Sequence, residues 1–175
     1  QTQLFPNSLT SFTYNTGYYF FATDTGIYTV NFIPNSLWNL TTDSNSYTVS
    51  LTGANPIADS LDFGFYPNTI TTIIEPELTG AFPRCNDTIN YWVNIRNEGT
   101  TLPDGIVHLQ LDDSISFVSS VIAPDSIIGQ NIYWHFDSLF FYTEEMINLQ
   151  VQMPPFTSMG DTLTSILSVY ELDGS

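Results

Sequence analysis

Short runs of strict period-two alternation, each cut off by a turn, constrain this chain more than any other feature. Tyr28, Val30 and Phe32 share one face of such a run, with Thr29 and Asn31 on the other. Tyr47, Val49 and Leu51 alternate with Thr48 and Ser50, and Leu61, Phe63 and Phe65 alternate with Asp62 and Gly64. Successive side chains of a strand point to opposite faces, so each run reads as a short antiparallel strand with one buried face. Asp24-Thr25-Gly26, Ile33-Pro34-Asn35-Ser36 and Gly53-Ala54-Asn55-Pro56 supply the turns. No long window carries the 3.6-residue period of an amphipathic helix.

A boundary is expected at Tyr66-Pro67-Asn68. Residues 68–83 hold a Thr/Ile run followed by Glu75-Pro76-Glu77, whose proline resists a central strand. A second set of rows follows: Ile89, Tyr91, Val93 and Ile95, closed by Asn97-Glu98-Gly99-Thr100; then Val107, Leu109 and Leu111; then Ile115 and Phe117. Ile132, Trp134 and Phe136 come after the turn Gly129-Gln130-Asn131, and Ile147, Leu149, Val151 and Met153 precede a last strand within 161–170. Strands at this spacing, with a turn about every ten residues, form the pattern of a β-sandwich. The expected fold is all-β, with two tandem antiparallel sandwich modules at 1–67 and 68–175.

Charge narrows the partners. Eighteen acids face two bases, Arg84 and Arg96, for a formal net charge of -16 over 175 residues. Such a surface repels phosphate backbones and anionic membranes, which excludes nucleic acid as a partner and argues against membrane insertion. No apolar run is long enough to span a bilayer as a helix. Aromatics at 15% and hydrophobics at 42% supply ample core and argue against disorder. Cys85 is the one cysteine, so an intramolecular disulfide is excluded and a small buried hydrophobe is expected there. With no initiating methionine and an abrupt end at Leu172-Asp173-Gly174-Ser175, the chain reads as an excerpt of a longer protein.

Two resemblances follow from particular residues. Gly17-Tyr18-Tyr19-Phe20, Gly26-Ile27-Tyr28-Thr29-Val30, Ser46-Tyr47-Thr48-Val49 and Leu61-Asp62-Phe63-Gly64-Phe65 resemble the closing strands of B-type repeats of collagen-binding adhesins, which are prealbumin-like, carboxypeptidase regulatory-like sandwiches. The first strands of that family have no counterpart here, so the module resembles a truncated copy. Residues 87–100 (Asp87-Thr88-Ile89-Asn90-Tyr91-Trp92-Val93 onward), Tyr133 to Leu139 and Gly160 to Thr164 resemble the Ig-like repeat domain of bacterial surface proteins. The joint pattern is similar to large gliding, adhesion or filament proteins of Bacteroidota, many of them exported by the type IX system. These resemblances imply an extracellular, non-enzymatic structural or adhesive module, in contact with neighbouring modules of the same protein. They also imply assembly into a homo-oligomer or filament, or binding to a cell-surface glycan or protein. The Lys–Asn isopeptide cross-link common in B-type repeats is excluded by the absence of lysine. A thioester through Cys85 is not expected.

The candidate chemistry is sparse. His108 alternates with Val107 and Leu109, and His135 with Trp134 and Phe136, so both point away from the core. His135 and Asp137 share a strand face, a spacing compatible with base catalysis, but no Gly-framed serine accompanies them. EF-hand spacing is missing. Calcium, if bound, is expected in the turns at Asp104, Asp112 and Asp113; solvated turn acids are the competing reading. Glu144-Glu145 is a further acidic pair. Tyr18-Tyr19-Phe20-Phe21 and Phe140-Phe141-Tyr142 are contiguous, so both parities cannot face one core. Some of these rings are expected at an interface with another module or subunit. The alternative function is carbohydrate binding by an accessory module of a secreted enzyme, through exposed rings such as Trp38 or Trp92. Asn39-Leu40-Thr41 and Asn86-Asp87-Thr88 match glycosylation acceptors.

Overall fold

The computed structural model describes residues 1–13, 17–33, 35–158 and 160–172; Pro34 of the turn expected at 33–36, and the terminal residues 173–175, lie outside that set. The all-β class expected from the alternation is borne out: every strand pairing is antiparallel, and the one helical element among the described residues is a 3-10 turn at Phe156–Ser158. None of the described helical segments is long and apolar enough to cross a membrane. The chain divides into two compact units, Gln1–Thr71 and Thr72–Ser175.

Unit 1 contains β1 (Thr2–Phe5), β2 (Leu9–Ser11), β3 (Gly26–Phe32), β4 (Trp38–Leu40), β5 (Ser46–Leu51) and β6 (Phe65–Pro67). Four of them form one sheet in the order β2-β1-β3-β5, and β4 pairs with β6. The hairpin β1–β2 carries too short an alternation to be announced by the sequence; it gains its place through Leu4, which pairs with Val30 and is buried with Tyr28 and Val30. The run at Leu61 to Gly64 is extended with no ladder of its own, although Leu61 and Phe63 turn inward as their alternation predicts. Tyr19, Phe63, Phe32, Phe65 and Trp38 form a chain of ring contacts, with centroids 5.4 to 6.2 Å apart. Rings in tilted, stacked and edge contacts fill much of the interior that aliphatic side chains would otherwise occupy.

Unit 2 contains β7 (Ile74–Gly80), β8 (Thr88–Asn97), β9 (Gly105–Gln110), β10 (Ser116–Ser120), β11 (Ser126–Ile128), β12 (Asn131–Phe136), β13 (Glu144–Gln152) and β14 (Ile166–Glu171). These make two four-stranded sheets, β10-β13-β8-β7 and β11-β12-β9-β14. The rows read from the sequence face inward: Val93 and Ile95 from β8, Leu149 and Val151 from β13, Val107 and Leu109 from β9, Ile132 and Trp134 from β12 join one buried cluster. The two sheets therefore close on a shared core in a sandwich-like arrangement. Pro76 does not exclude a strand, but it sits in β7 at the sheet edge, where its missing N–H breaks no ladder bond. The cluster holds fifteen buried side chains against three in the corresponding cluster of unit 1, among the described residues. At about 1.5–3 kcal/mol for each large aliphatic buried, that difference decides which unit is the more stable.

Candidate functional site

Two segments of unit 1 lie over the β1-β3-β5 face without joining any sheet. Residues 17–24 have no assigned strand, yet their side chains alternate: Tyr19 and Phe21 pack against the Leu4, Tyr28 and Val30 cluster, while Tyr18 and Phe20 point outward at 71% and 66% exposure. Residues 56–60 are exposed throughout, with Ile57 at 79% and Ser60 at a positive φ of 57°, and the alternation appears only at 61–63, where Leu61 and Phe63 turn inward. Between these segments and the sheet lies a half-open cleft of about 500 Å³, lined by Leu4, Tyr19, Phe21, Val49 and Leu51 and rimmed by Asp59 and Asp62. Its size is that of a ligand-binding cavity, and its floor is apolar.

Side chains, not main-chain ladders, hold the two segments down. The Tyr19 hydroxyl donates to the Leu61 carbonyl and the Tyr47 hydroxyl to the Asp62 carbonyl, the latter at 2.6 Å. The Ser11 hydroxyl oxygen accepts the Phe20 N–H at 3.5 Å. Among the described residues, the main-chain groups of 19–24 and 56–63 make no hydrogen bond to another main-chain group. Burial, and secondarily the Asp62 charge, pushes the Tyr19 phenol up to about 12.

The second aromatic run is built differently. Phe140 is 44% exposed, and Phe141 and Tyr142 are half-buried in a tight turn, with the Phe140 and Phe141 ring centroids 4.9 Å apart. The turn is fastened by Asn97, whose carbonyl accepts the Tyr142 N–H at 2.8 Å. Of the seven rings expected at an interface, Tyr18, Phe20 and Phe140 are therefore the exposed ones. Trp38 is buried edge-on against Phe65, and Trp92 is half-buried on the outer face of β8.

The turn acids serve the backbone. Asp112 accepts the Ser114 hydroxyl at 2.6 Å, the Ser114 N–H at 3.0 Å and the Thr164 N–H at 2.9 Å. Those bonds, the Ser114 hydroxyl first, hold its carboxyl below the usual carboxylate range. Asp104 accepts the Ser138 N–H at 2.6 Å. The structure does not bring Asp104, Asp112 and Asp113 together: no group of three or more acidic, His or Cys side chains suited to a metal occurs among the described residues. Both histidines lie on the outer face of β9 and β12. His135 sits 3.2 Å from the exposed Asp137, while His108 bonds Asn131 at 2.8 Å.

The sequence reading missed a patch on the outer face of β11-β12-β9-β14. Tyr133 stacks on His108 at 4.6 Å and 7° between planes, and Tyr170 flanks His108 at 6.1 Å. Ile106, Ile128 and Tyr133 line a shallow hollow of about 400 Å³ beside them. The signal was present, since Ile106, His108 and Tyr133 all fall on the outward parity, but three separate strands had to be put in register to see it.

No protein-family model matches the chain, and no curated protein matches it in sequence.

Proposed function

We propose that this chain is a non-catalytic structural and adhesive segment of an extracellular bacterial surface protein or filament. In this reading unit 2 is an Ig-like sandwich repeat and unit 1 a prealbumin-like module, and both act by packing against neighbours. The observation that carries the reading is the state of unit 1's second layer: chain outside any ladder, strand-patterned at 19–24 and 61–63, spread over an apolar cleft with Tyr18 and Phe20 turned to solvent. Exposed rings beside main chain that joins no sheet are what a module offers when it is completed by contact with another. Unit 2 supports the same reading from the opposite direction. Its Asp104 and Asp112 carboxylates are occupied in tying loops to one another, a use suited to holding a fold under tension rather than to catalysis.

Antibodies raised against the purified chain should label intact cells of the source organism. Labelling that appears only after lysis would remove the surface assignment. Stretching single molecules of the chain should give two unfolding events, of about 250 Å and 370 Å of released contour at roughly 3.6 Å per residue. One merged event would remove the reading of two separately folding modules.

A further inference from the structure

From the main chain above the unit 1 cleft, which joins no ladder, we infer a specific occupant: an extended peptide strand, apolar on one face and basic on the other, supplied by another protein. The inference deepens the proposed function by naming the partner of unit 1, and it rests on that reading of unit 1 as a packing module. Three observations carry it. The first is main-chain need. Residues 19–24 and 61–63 alternate in and out, yet their N–H and C=O groups bond to no other main-chain group among the described residues. Main-chain donors and acceptors in extended conformation are templates for another strand, which satisfies them while fixing register.

The second is shape. The cleft of about 500 Å³ beneath these segments is floored by Leu4, Val30, Val49 and Leu51. A strand laid across it would send every second side chain inward, at about 6.6 Å spacing, to fill space that unit 1's own side chains leave open. A small hydrophobic molecule could fill the same space but would leave the main-chain groups above it as they are.

The third is charge, and it selects the source of the strand. Unit 1 carries Asp24, Asp43, Asp59 and Asp62 and no basic side chain, and Asp59 and Asp62 stand at the cleft rim. A second copy of the chain would bring another -16 to that rim. Lysine or arginine on the outward face of the incoming strand meets the rim with opposite charge, which favours a heterologous basic partner over self-completion.

The test uses the full chain, isotope-labelled, with three blocked nine-residue peptides as probes: alternating Val/Lys, alternating Val/Glu and alternating Ser/Lys. The Val/Lys peptide should bind and slow amide hydrogen exchange within 19–24 and 61–63 at least tenfold. Its affinity should fall about tenfold or more between 50 mM and 500 mM salt, as attraction at an exposed rim requires. The Val/Glu and Ser/Lys peptides should each bind at least tenfold more weakly. Val49→Trp, which fills the cleft, should abolish binding; Ala22→Pro, which removes one N–H from the alternating stretch 19–24 without touching the floor, should weaken it. Protection of the β1 and β3 amides in unit 1 reports that each variant still folds. Protection of 19–24 and 61–63 in the free chain at low concentration would overturn the inference, as would Ser/Lys binding equal to Val/Lys. Protection that grows with chain concentration would identify a second copy instead, and overturn the basic partner. Decanoate competing for the cleft while the Val/Lys peptide protects no amide would do the same in favour of a small ligand. None of these readouts depends on where the protein resides, so this inference and the surface assignment fail separately.

Discussion

Asn97 ends β8 with no solvent exposure, and its whole side chain is engaged: Nδ2 donates to the Thr101 and Leu139 carbonyls and Oδ1 accepts the Gly99 N–H, each at 2.8 Å. One amide thus joins the turn after β8 to the segment before β13. Asn97→Ala should leave those buried main-chain groups unpaired and cost unit 2 about 2–4 kcal/mol, read as a shift in urea midpoint. A loss below about 1 kcal/mol would mean that the loops find other partners. Tyr19 gives a prediction of another kind. Its phenol is raised in the folded chain to about 12, against about 10 in the unfolded chain. Unit 1 therefore keeps this contribution below pH 10 and loses it as pH rises towards 12, because the unfolded chain sheds the proton first. Alkaline titration followed by hydrogen exchange in β3 should show unit 1 loosening in that window, and Tyr19→Phe should remove much of the dependence. Tyr91 in unit 2 is also raised by burial, so the control is the difference between Tyr19→Phe and Tyr91→Phe. Asp112 acts at the opposite end. Its carboxyl is held low, so what it contributes to joining 112–114 with Thr164 is present above about pH 4 and lost as pH falls further.

Among the elements, β9 shows how closely the sheets are fitted. A Cβ added at Gly105 would lie 2.5 Å from the Phe136 ring and 2.6 Å from the Tyr170 carbonyl oxygen. Phe136 is buried and the carbonyl belongs to the neighbouring strand, so neither gives way easily. Gly105→Ala should destabilise unit 2 by about 1–3 kcal/mol in thermal or urea unfolding. Phe136→Leu should recover part of that loss in the double variant, since it relieves only one of the two clashes. The edges are managed unevenly. β7 carries Pro76, β10 has a register shift between Phe117 and Ser119, and β11 is three residues long, all of which discourage further pairing. β5 in unit 1 is six residues of unbroken alternation at the end of its sheet, without any such device.

For the molecule as a whole, the contrast between the units is the governing fact. With three buried hydrophobic side chains in its cluster against fifteen, unit 1 should unfold at lower denaturant concentration than unit 2. Trp38 reports on unit 1, and Trp92 and Trp134 on unit 2, so single-Trp variants can separate the two transitions. A single coincident transition would mean that unit 1 draws its stability from something other than its own core. With -16 spread over the chain, added salt should also raise the stability of both units by screening self-repulsion.

Period-two alternation determined the all-β class and the inward rows of unit 2, because burying one face of a strand leaves a direct trace in residue order. Val93 with Ile95, Leu109 and Trp134 were legible for that reason, and so was the outward aim of His108 and His135. Alternation reports which face is buried and not which strand stands alongside. Residues 61–64 therefore read as a strand and proved to be extended chain held by tyrosine hydroxyls, and the β1–β2 hairpin gave no warning. The Tyr18 to Phe21 run was recognised as unable to bury both parities, but its division into inward Tyr19 and Phe21 and outward Tyr18 and Phe20 was decided by the sheet beneath it. The cleft, the buried Asn97 junction and the Tyr133–His108 patch were decided by tertiary structure alone. Each depends on residues far apart in the chain, and no local pattern encodes the distance between them.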